Sequence, residues 1–355
     1  MQYRKTVVDG HYHIYNWSNS YGKDFYETTD AYVNARNFRS VNLCALPCVW
    51  SDVRDNIIAA LYKLHNPNVY IHGGITHDVY PVPAVATEGF DPLTQYNEMM
   101  EIGFDGIKII ETKPDRINEI GRPVNDPFYG GFFKAAERDG THIVWHVNDP
   151  AEFWDKDLAP DWCFANGWFY GDGNYPHYTE IYDQVLDVLD KNPNLKATFA
   201  HFFFMSGSPE RLEELFAKYP NMGVDLTPGS EMYADFKKRH EYFKTFFTRH
   251  ADRIMFGTDS ADASEDVSSN TERADIVYNF LAEDKEFNIW DVPGRGLALS
   301  DEVQEKILGG NFLKKVGCEP KPINVEALKR YVAKYRHLIR DKEVQRKIDE
   351  AVAKL

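Results

Sequence analysis

The sequence predicts an α/β protein: a single (β/α)8 TIM barrel with an aromatic-rich loop after its fifth strand and a C-terminal helical extension. Three observations predict it. Eight short runs rich in β-branched residues recur along the chain. Segments of helical periodicity separate them. The 355 residues are a length that α/β barrels fill as one domain. Eight such units close naturally into a barrel, although an open doubly wound sheet has the same local signature. No GxGxxG follows the first run and no GxxxxGK[ST] occurs, which weakens the nucleotide-binding alternative.

The elements follow in order. Thr6–Asp9 is the first strand signal and leads into His-Tyr-His; Ser40–Val49 is the second. The helix Asp52–His65 then repeats apolar residues at three- and four-residue spacing after an Asp at the N-cap position. Val69–Thr76 precedes the helix Asp91–Ile102, and Gly106–Ile110 precedes Pro127–Arg138. The fifth strand is His142–Asn148. The stretch Pro150–Tyr178 after it holds nine aromatics in 29 residues with Gly and Pro punctuation, so it reads as an ordered loop. The helix Glu180–Lys191 follows. Lys196–Phe202 pairs with Pro209–Tyr219, Met222–Thr227 with Glu231–His250, and Arg253–Asp259 is the eighth strand; Asp301–Leu313 closes the series. Residues 1–320 therefore form the barrel. Residues 321–355 form a helical extension, with ten basic and five acidic side chains, expected to pack on the barrel or on a sister subunit.

Composition narrows the partners. The net charge of −15 argues against a nucleic-acid partner, which would need clustered Lys and Arg. No run approaches the roughly 18 apolar residues of a membrane helix, and the N-terminal MQYRKTVVDG lacks a secretory apolar region. The expectation is a cytoplasmic protein acting on a small molecule. Cys44, Cys48, Cys163 and Cys318 are expected to be thiols, and no His/Cys pair completes a zinc site around the first two.

Polar residues stand at the C-terminal ends of these runs, where barrel enzymes build their sites. His11 and His13 are two apart, so both imidazoles project from one face of a strand, about 6–7 Å apart, a spacing that suits one divalent metal. His146 ends the fifth strand, His201 the sixth and Asp259 the eighth.

This order resembles the amidohydrolase superfamily. In detail it looks like the amidohydrolase-2 branch, which includes sugar and pyrone lactonases and decarboxylases of the aminocarboxymuconate-semialdehyde and resorcylate type. VDGHYHIY, GIKII, KATFAHF, YPNMGVDLTP, RIMFGTDS and KILGGNFLKKV carry the resemblance, from about Val7 to Val316. It implies one divalent ion, Zn2+ with Mn2+ as the alternative, held by His11, His13, His146 and Asp259. Asp259 would also take a proton from water, and His201 would polarise the substrate or protonate a leaving group. Lys108 in GIKII lies near the position where binuclear members carry a carboxylated lysine; in this branch Gly-x-Lys also occurs without a second metal. Many such relatives are oligomers, so a homo-oligomer is expected.

Further candidates for substrate contact are Lys108 itself, Glu111 and Arg116 after the fourth strand, Trp154 and His177 in the aromatic loop, and Trp17 and Trp50 after the first two strands. Arg116 or the nearby Arg122 could clamp a carboxylate. The remaining histidines are read as structural. The expected activity is metal-dependent hydrolysis of a lactone or related ester or amide; the alternative is non-oxidative decarboxylation of an aromatic or unsaturated acid. A barrel that binds without turnover has no need of the whole ligand set.

Overall fold

The computed structural model describes residues 2–14, 26–47, 53–77, 91–229, 231–262, 267–290 and 292–355. Strand β1 (Val8–Ile14) is followed by α1 (Glu27–Ala35), β2 (Ser40–Ala45), α2 (Arg54–His65), β3 (Tyr70–Gly74), α3 (Pro92–Ile102) and β4 (Gly106–Thr112). Next come α4 (Pro114–Ile120), α5 (Pro127–Asp139), β5 (His142–Val147), α6 (Asp161–Ala165), α7 (Tyr178–Lys191), β6 (Lys196–Phe199), α8 (Pro209–Lys218) and β7 (Met222–Asp225). The chain continues through α9 (Met232–Lys238), α10 (His240–Arg249), β8 (Ile254–Met255), β9 (Ser260–Ala261) and α11 (Val267–Ala282). A hairpin of β10 (Glu286–Ile289) and β11 (Val292–Arg295) precedes α12 (Asp301–Glu305), α13 (Asn311–Val316), α14 (Val325–Tyr335) and α15 (Lys342–Val352).

Strands β1 to β9 make one parallel sheet in the order β8-β7-β6-β5-β4-β3-β2-β1-β9. All residues of β1, β2 and β3 are buried, as expected where helices cover a parallel sheet. Segment 254–262 joins the two ends of the sheet. It pairs with β7 through β8 and with β1 through β9. Between these, Gly10 N donates to Phe256 O (3.1 Å) and Asp259 N to His11 O (2.9 Å). The architecture is TIM-barrel-like.

Local chemistry explains several boundaries. Asp91 caps α3 by accepting from Thr94 N, Pro92 opens the helix, and Gly103 closes it with φ of 107°. Gly106 has no room for a side chain, since a Cβ there would lie 2.2 Å from His72 Nε2. That imidazole belongs to a buried chain inside the sheet. His72 Nδ1 meets Asn42 Oδ1 at 2.7 Å, His142 Nδ1 meets His72 Nε2 at 3.0 Å, and Thr198 Oγ1 meets His142 Nε2 at 2.9 Å. Every polar atom in the chain is satisfied with both rings neutral, and burial pushes both well below the ordinary imidazole range.

The structure departs from the sequence expectation at several elements. The first strand does not stop at Asp9 but runs to Ile14, because β2 and β9 pair with it on both sides. The sixth strand stops at Phe199 instead of Phe202. The Glu231–His250 helix is two helices, broken at Arg239, and Asp301–Leu313 passes through a π-helical turn at Lys306–Gly310 before α13. Helices α1, α4, α6 and α11 and the β10–β11 hairpin were not expected. Helices α14 and α15 lie against α2 and α3, with Tyr335 Oη donating to Glu98 at 2.7 Å. Among the described residues no helix is long and apolar enough to cross a membrane.

Candidate metal centre

Three donors converge at the C-terminal end of the sheet. His11, His13 and Asp259 each offer a ligand atom, and these atoms lie within 4.8 Å of one another. His13 Nε2 is 3.2 Å from His11 Nε2 and 3.0 Å from Asp259 Oδ1; His11 Nε2 is 3.7 Å from the same oxygen. The strand spacing of about 6–7 Å between alternate side chains thus closes to half that distance at the ring tips, where the two planes stand at 76°. The register of β1 against β2 shifts between Asp9 and Tyr12, the stretch that carries His11.

The other ring nitrogens are already committed. His11 Nδ1 faces Asp225 Oδ2 at 2.8 Å, and His13 Nδ1 faces the Cys44 carbonyl at 3.1 Å. Both partners are acceptors, so both Nδ1 atoms carry the proton and both Nε2 lone pairs point at Asp259. Burial, with Lys108 beside it, lowers the His11 pKa to about 3, so the imidazole is neutral and ligand-competent. Burial alone would raise the Asp259 carboxyl, but the histidines around it, His13 first, outweigh that and hold it well below the carboxylate range. Two neutral imidazoles and an ionised carboxylate, each imidazole oriented from behind, are the donor set of a divalent transition metal. The residues fit such an ion.

Asp259 reaches this position with φ of 53°, a left-handed conformation that Asp tolerates better than most residues. Asp9 steadies the same loop, accepting from Thr258 Oγ1 (2.7 Å), Tyr32 Oη (2.6 Å) and His11 N (3.1 Å). Asp225 is the functional residue that sequence reasoning passed over. Its Oδ1 also accepts from His201 N and Thr227 N, so one carboxylate braces two histidines. Its only sequence signal is that it ends an apolar run, as the other site residues do.

His201 lies in a left-handed turn, with φ of 54° there and positive φ through Phe204. Consecutive left-handed residues cost roughly 1–2 kcal/mol each. Phe202 and Phe203, both fully buried, hold them in place. His201 Nδ1 lies 3.2 Å from the Thr227 carbonyl, an acceptor, which leaves Nε2 as an acceptor. Burial lowers its pKa, so the ring is neutral. His146 does not join the trio: its Nε2 is 2.9 Å from the Asn148 carbonyl and its ring packs edge-on to His201. Lys108 is buried, with Nζ 3.0 Å from His11 Nε2.

A cavity of about 640 Å3 opens above these groups, with His13, Lys108, His146, His201 and Asp259 in its lining. Phe153, Trp162 and Trp168 of the aromatic segment form one wall. That segment is tied down by an ion pair between Lys113 and Asp149, by Tyr170 Oη on Asp149 (2.7 Å), and by Lys113 over the Trp168 ring at 4.6 Å. Arg116 lines the cavity but is engaged by Asp115 and Glu119 at 3.0 and 2.6 Å. Glu111 is instead buried against His77 at 2.9 Å. Neither Trp154 nor His177 is part of the lining. The Trp154 indole donates to the Pro176 carbonyl (3.1 Å), and His177 caps α7 by accepting from Thr179 N. Trp17 and Trp50 lie outside the described residues.

A family model described as amidohydrolase matches residues 67–314, a span that includes His146, His201 and Asp259 but not His11 and His13. No curated protein matches. Among solved structures, an amidohydrolase II is similar with a TM-score of 0.57 at 13% identity, covering 88% of this chain and 99% of that one. The 4-oxalomesaconate hydratase of Rhodopseudomonas palustris has a TM-score of 0.53 at 14% identity, covering 92% and 98%. A 2,6-dihydroxybenzoate decarboxylase, solved with 2,6-dihydroxybenzoate, has a TM-score of 0.50 at 14% identity, covering 89% and 99%. At these identities the likeness shows a shared fold.

Proposed function

The chain belongs to the amidohydrolase family, and on that premise we propose that it is a metal-dependent hydrolase of a small-molecule lactone or a related ester or amide. One observation carries this reading: two Nε2 lone pairs and an ionised carboxylate meet at one point beside the cavity, with both Nδ1 atoms already spent. His11, His13 and Asp259 would hold one Zn2+, or Mn2+ in its place, with His146 as the further donor that the family resemblance supplies. Such an ion, when bound, acidifies water and polarises a carbonyl oxygen.

The chain's own residues supply the rest. His201, neutral and with Nδ1 committed to Thr227, accepts a proton at Nε2 and returns it to the leaving oxygen. The resemblance also gives Asp259, a ligand beside that water, the role of taking its proton. The aromatic wall receives a flat ring and excludes water. In this reading residues 1–320 are the catalytic (β/α)8 barrel and 321–355 an extension packed on it. The enzyme would work in the cytoplasm as a homo-oligomer.

Decarboxylation calls for a cation near the departing carboxylate. The two arginines that the sequence offers for it are engaged elsewhere: Arg116 with Asp115 and Glu119, and Arg122 beside Asp126 and over the Phe128 ring. Neither of these two is free to act as that clamp. The test is a parallel screen of lactones for acid release and aromatic acids for CO2 release, with elemental analysis of the same protein. About one equivalent of metal and acid release are expected. Protein free of metal yet active would overturn the metal role, and CO2 release without lactone opening would overturn the hydrolase.

A further inference from the structure

We propose that Arg273, with Trp290, is the seat for a carboxylate that the substrate carries as a spectator group beside the bond that is cleaved. The inference rests on the reading of His11, His13 and Asp259 as the metal centre and adds the chemical class of the substrate.

Four cationic side chains line the cavity: Lys108, Lys113, Arg116 and Arg273. Lys113 is neutralised by Asp149, and Arg116 by Asp115 and Glu119. Lys108 is buried and turned onto His11. Arg273, on α11, differs from all three. It meets no carboxylate among the described residues, and its hydrogen bond runs from Nη1 to the backbone carbonyl of Asp259, at 2.9 Å. That bond leaves most of a rigid, five-donor guanidinium to pair with a ligand, in a shape suited to bidentate carboxylate binding.

Its other support is Trp290, whose ring lies 4.8 Å from the guanidinium carbon. The indole sits between β10 and β11 with φ of 47° and is 51% exposed. A bulky aromatic in the left-handed region and half in solvent is costly, yet here it both stacks on the arginine and lines the cavity. Because Arg273 hangs on the backbone of the residue whose carboxylate completes the metal trio, an acid group held there lies to one side of the ion. The ester or amide of the same molecule is then free to face it. A cyclic ester or amide bearing a separate carboxylate is the substrate class that this arrangement fits.

Calorimetric titration of the full-length, metal-loaded protein with benzoate and its neutral isostere benzamide tests the seat. Wild-type protein is expected to bind benzoate at least about tenfold more tightly than benzamide. Arg273→Gln keeps a polar side chain but removes the charge. It is expected to weaken benzoate by about tenfold or more, with benzamide affinity and metal content unchanged, and Arg273→Lys to restore part of the loss. Trp290→Leu, at an exposed position, should weaken benzoate severalfold. Equal benzoate affinity in wild type and Arg273→Gln, or no benzoate binding to wild type, overturns the seat. Loss of metal in Arg273→Gln would make the arginine a brace for Asp259 and overturn it too. Wild-type protein without metal would sink the metal-centre reading separately, because the benzoate comparison between the two proteins remains readable.

Discussion

His11 Nδ1 lies 2.8 Å from Asp225 Oδ2, and both side chains are buried. The carboxylate dictates which nitrogen of His11 carries the proton, and so which nitrogen is left for a metal. Burial alone would raise the Asp225 carboxyl; the facing His11 and the Thr227 hydroxyl outweigh it and keep it ionised.

Asp225→Asn should therefore weaken metal binding by about 10- to 100-fold, the usual cost of losing a carboxylate behind a ligating imidazole. Chelator competition measures it, and far-ultraviolet circular dichroism checks that the fold persists. An unchanged affinity would remove Asp225 from the metal centre.

His201→Ala should keep the metal and lower kcat by about 10²- to 10⁴-fold, the range for a general acid or base. Metal content and kcat are measured on the same preparation. Loss of the metal together with activity would make His201 a ligand instead.

Lys63 and Asp105 form a buried ion pair at 2.6 Å, and Asp105 also accepts from Ile71 N and from Lys321 N at the start of the C-terminal extension. Lys63→Met leaves that carboxylate without its cation and should destabilise the protein by about 3–5 kcal/mol. Chemical denaturation measures it; a loss below about 1 kcal/mol would show that the backbone donors suffice.

Glu231 lines the cavity, and burial, followed by the charges of Glu152, Asp235 and Asp149, pushes its pKa up to about 8. The folded protein keeps this proton to about pH 8, whereas the unfolded chain loses it near the ordinary glutamate value of 4.5. Between these limits the folded state binds more protons, so stability falls as pH rises through the window. Glu231→Gln should remove that slope. Its Tm should match wild type near pH 4 and exceed it by a few degrees above pH 8. Parallel melting curves across the window would overturn the assignment.

Much of the fold was legible because its signals are local. Apolar runs leading into His146 and Asp259 mark segments that deliver both residues to one end of the sheet. The His11–His13 spacing of two follows directly from strand geometry. Elements that depend on tertiary support were not legible. The turn at His201–Phe204 reads as strand continuation, since the burial of Phe202 and Phe203 and the bond from His201 N to Asp225, which sustain its left-handed backbone, are tertiary.

The sequence by itself determined the alternation of strands and helices and the residue types gathered at one end of the sheet. Both follow from periodicities of a few residues. Tertiary structure decided which of those residues meet. It tilted His11 and His13 until their Nε2 atoms stood 3.2 Å apart, put Asp225 behind one of them, and turned His146 toward the Asn148 carbonyl. It paired Arg116 and left Arg273, 14 residues beyond Asp259, facing the cavity without a carboxylate partner among the described residues. The physical reason is that a side chain's direction is set by its own strand or helix, whereas its partner is set by how the whole sheet curls back on β1.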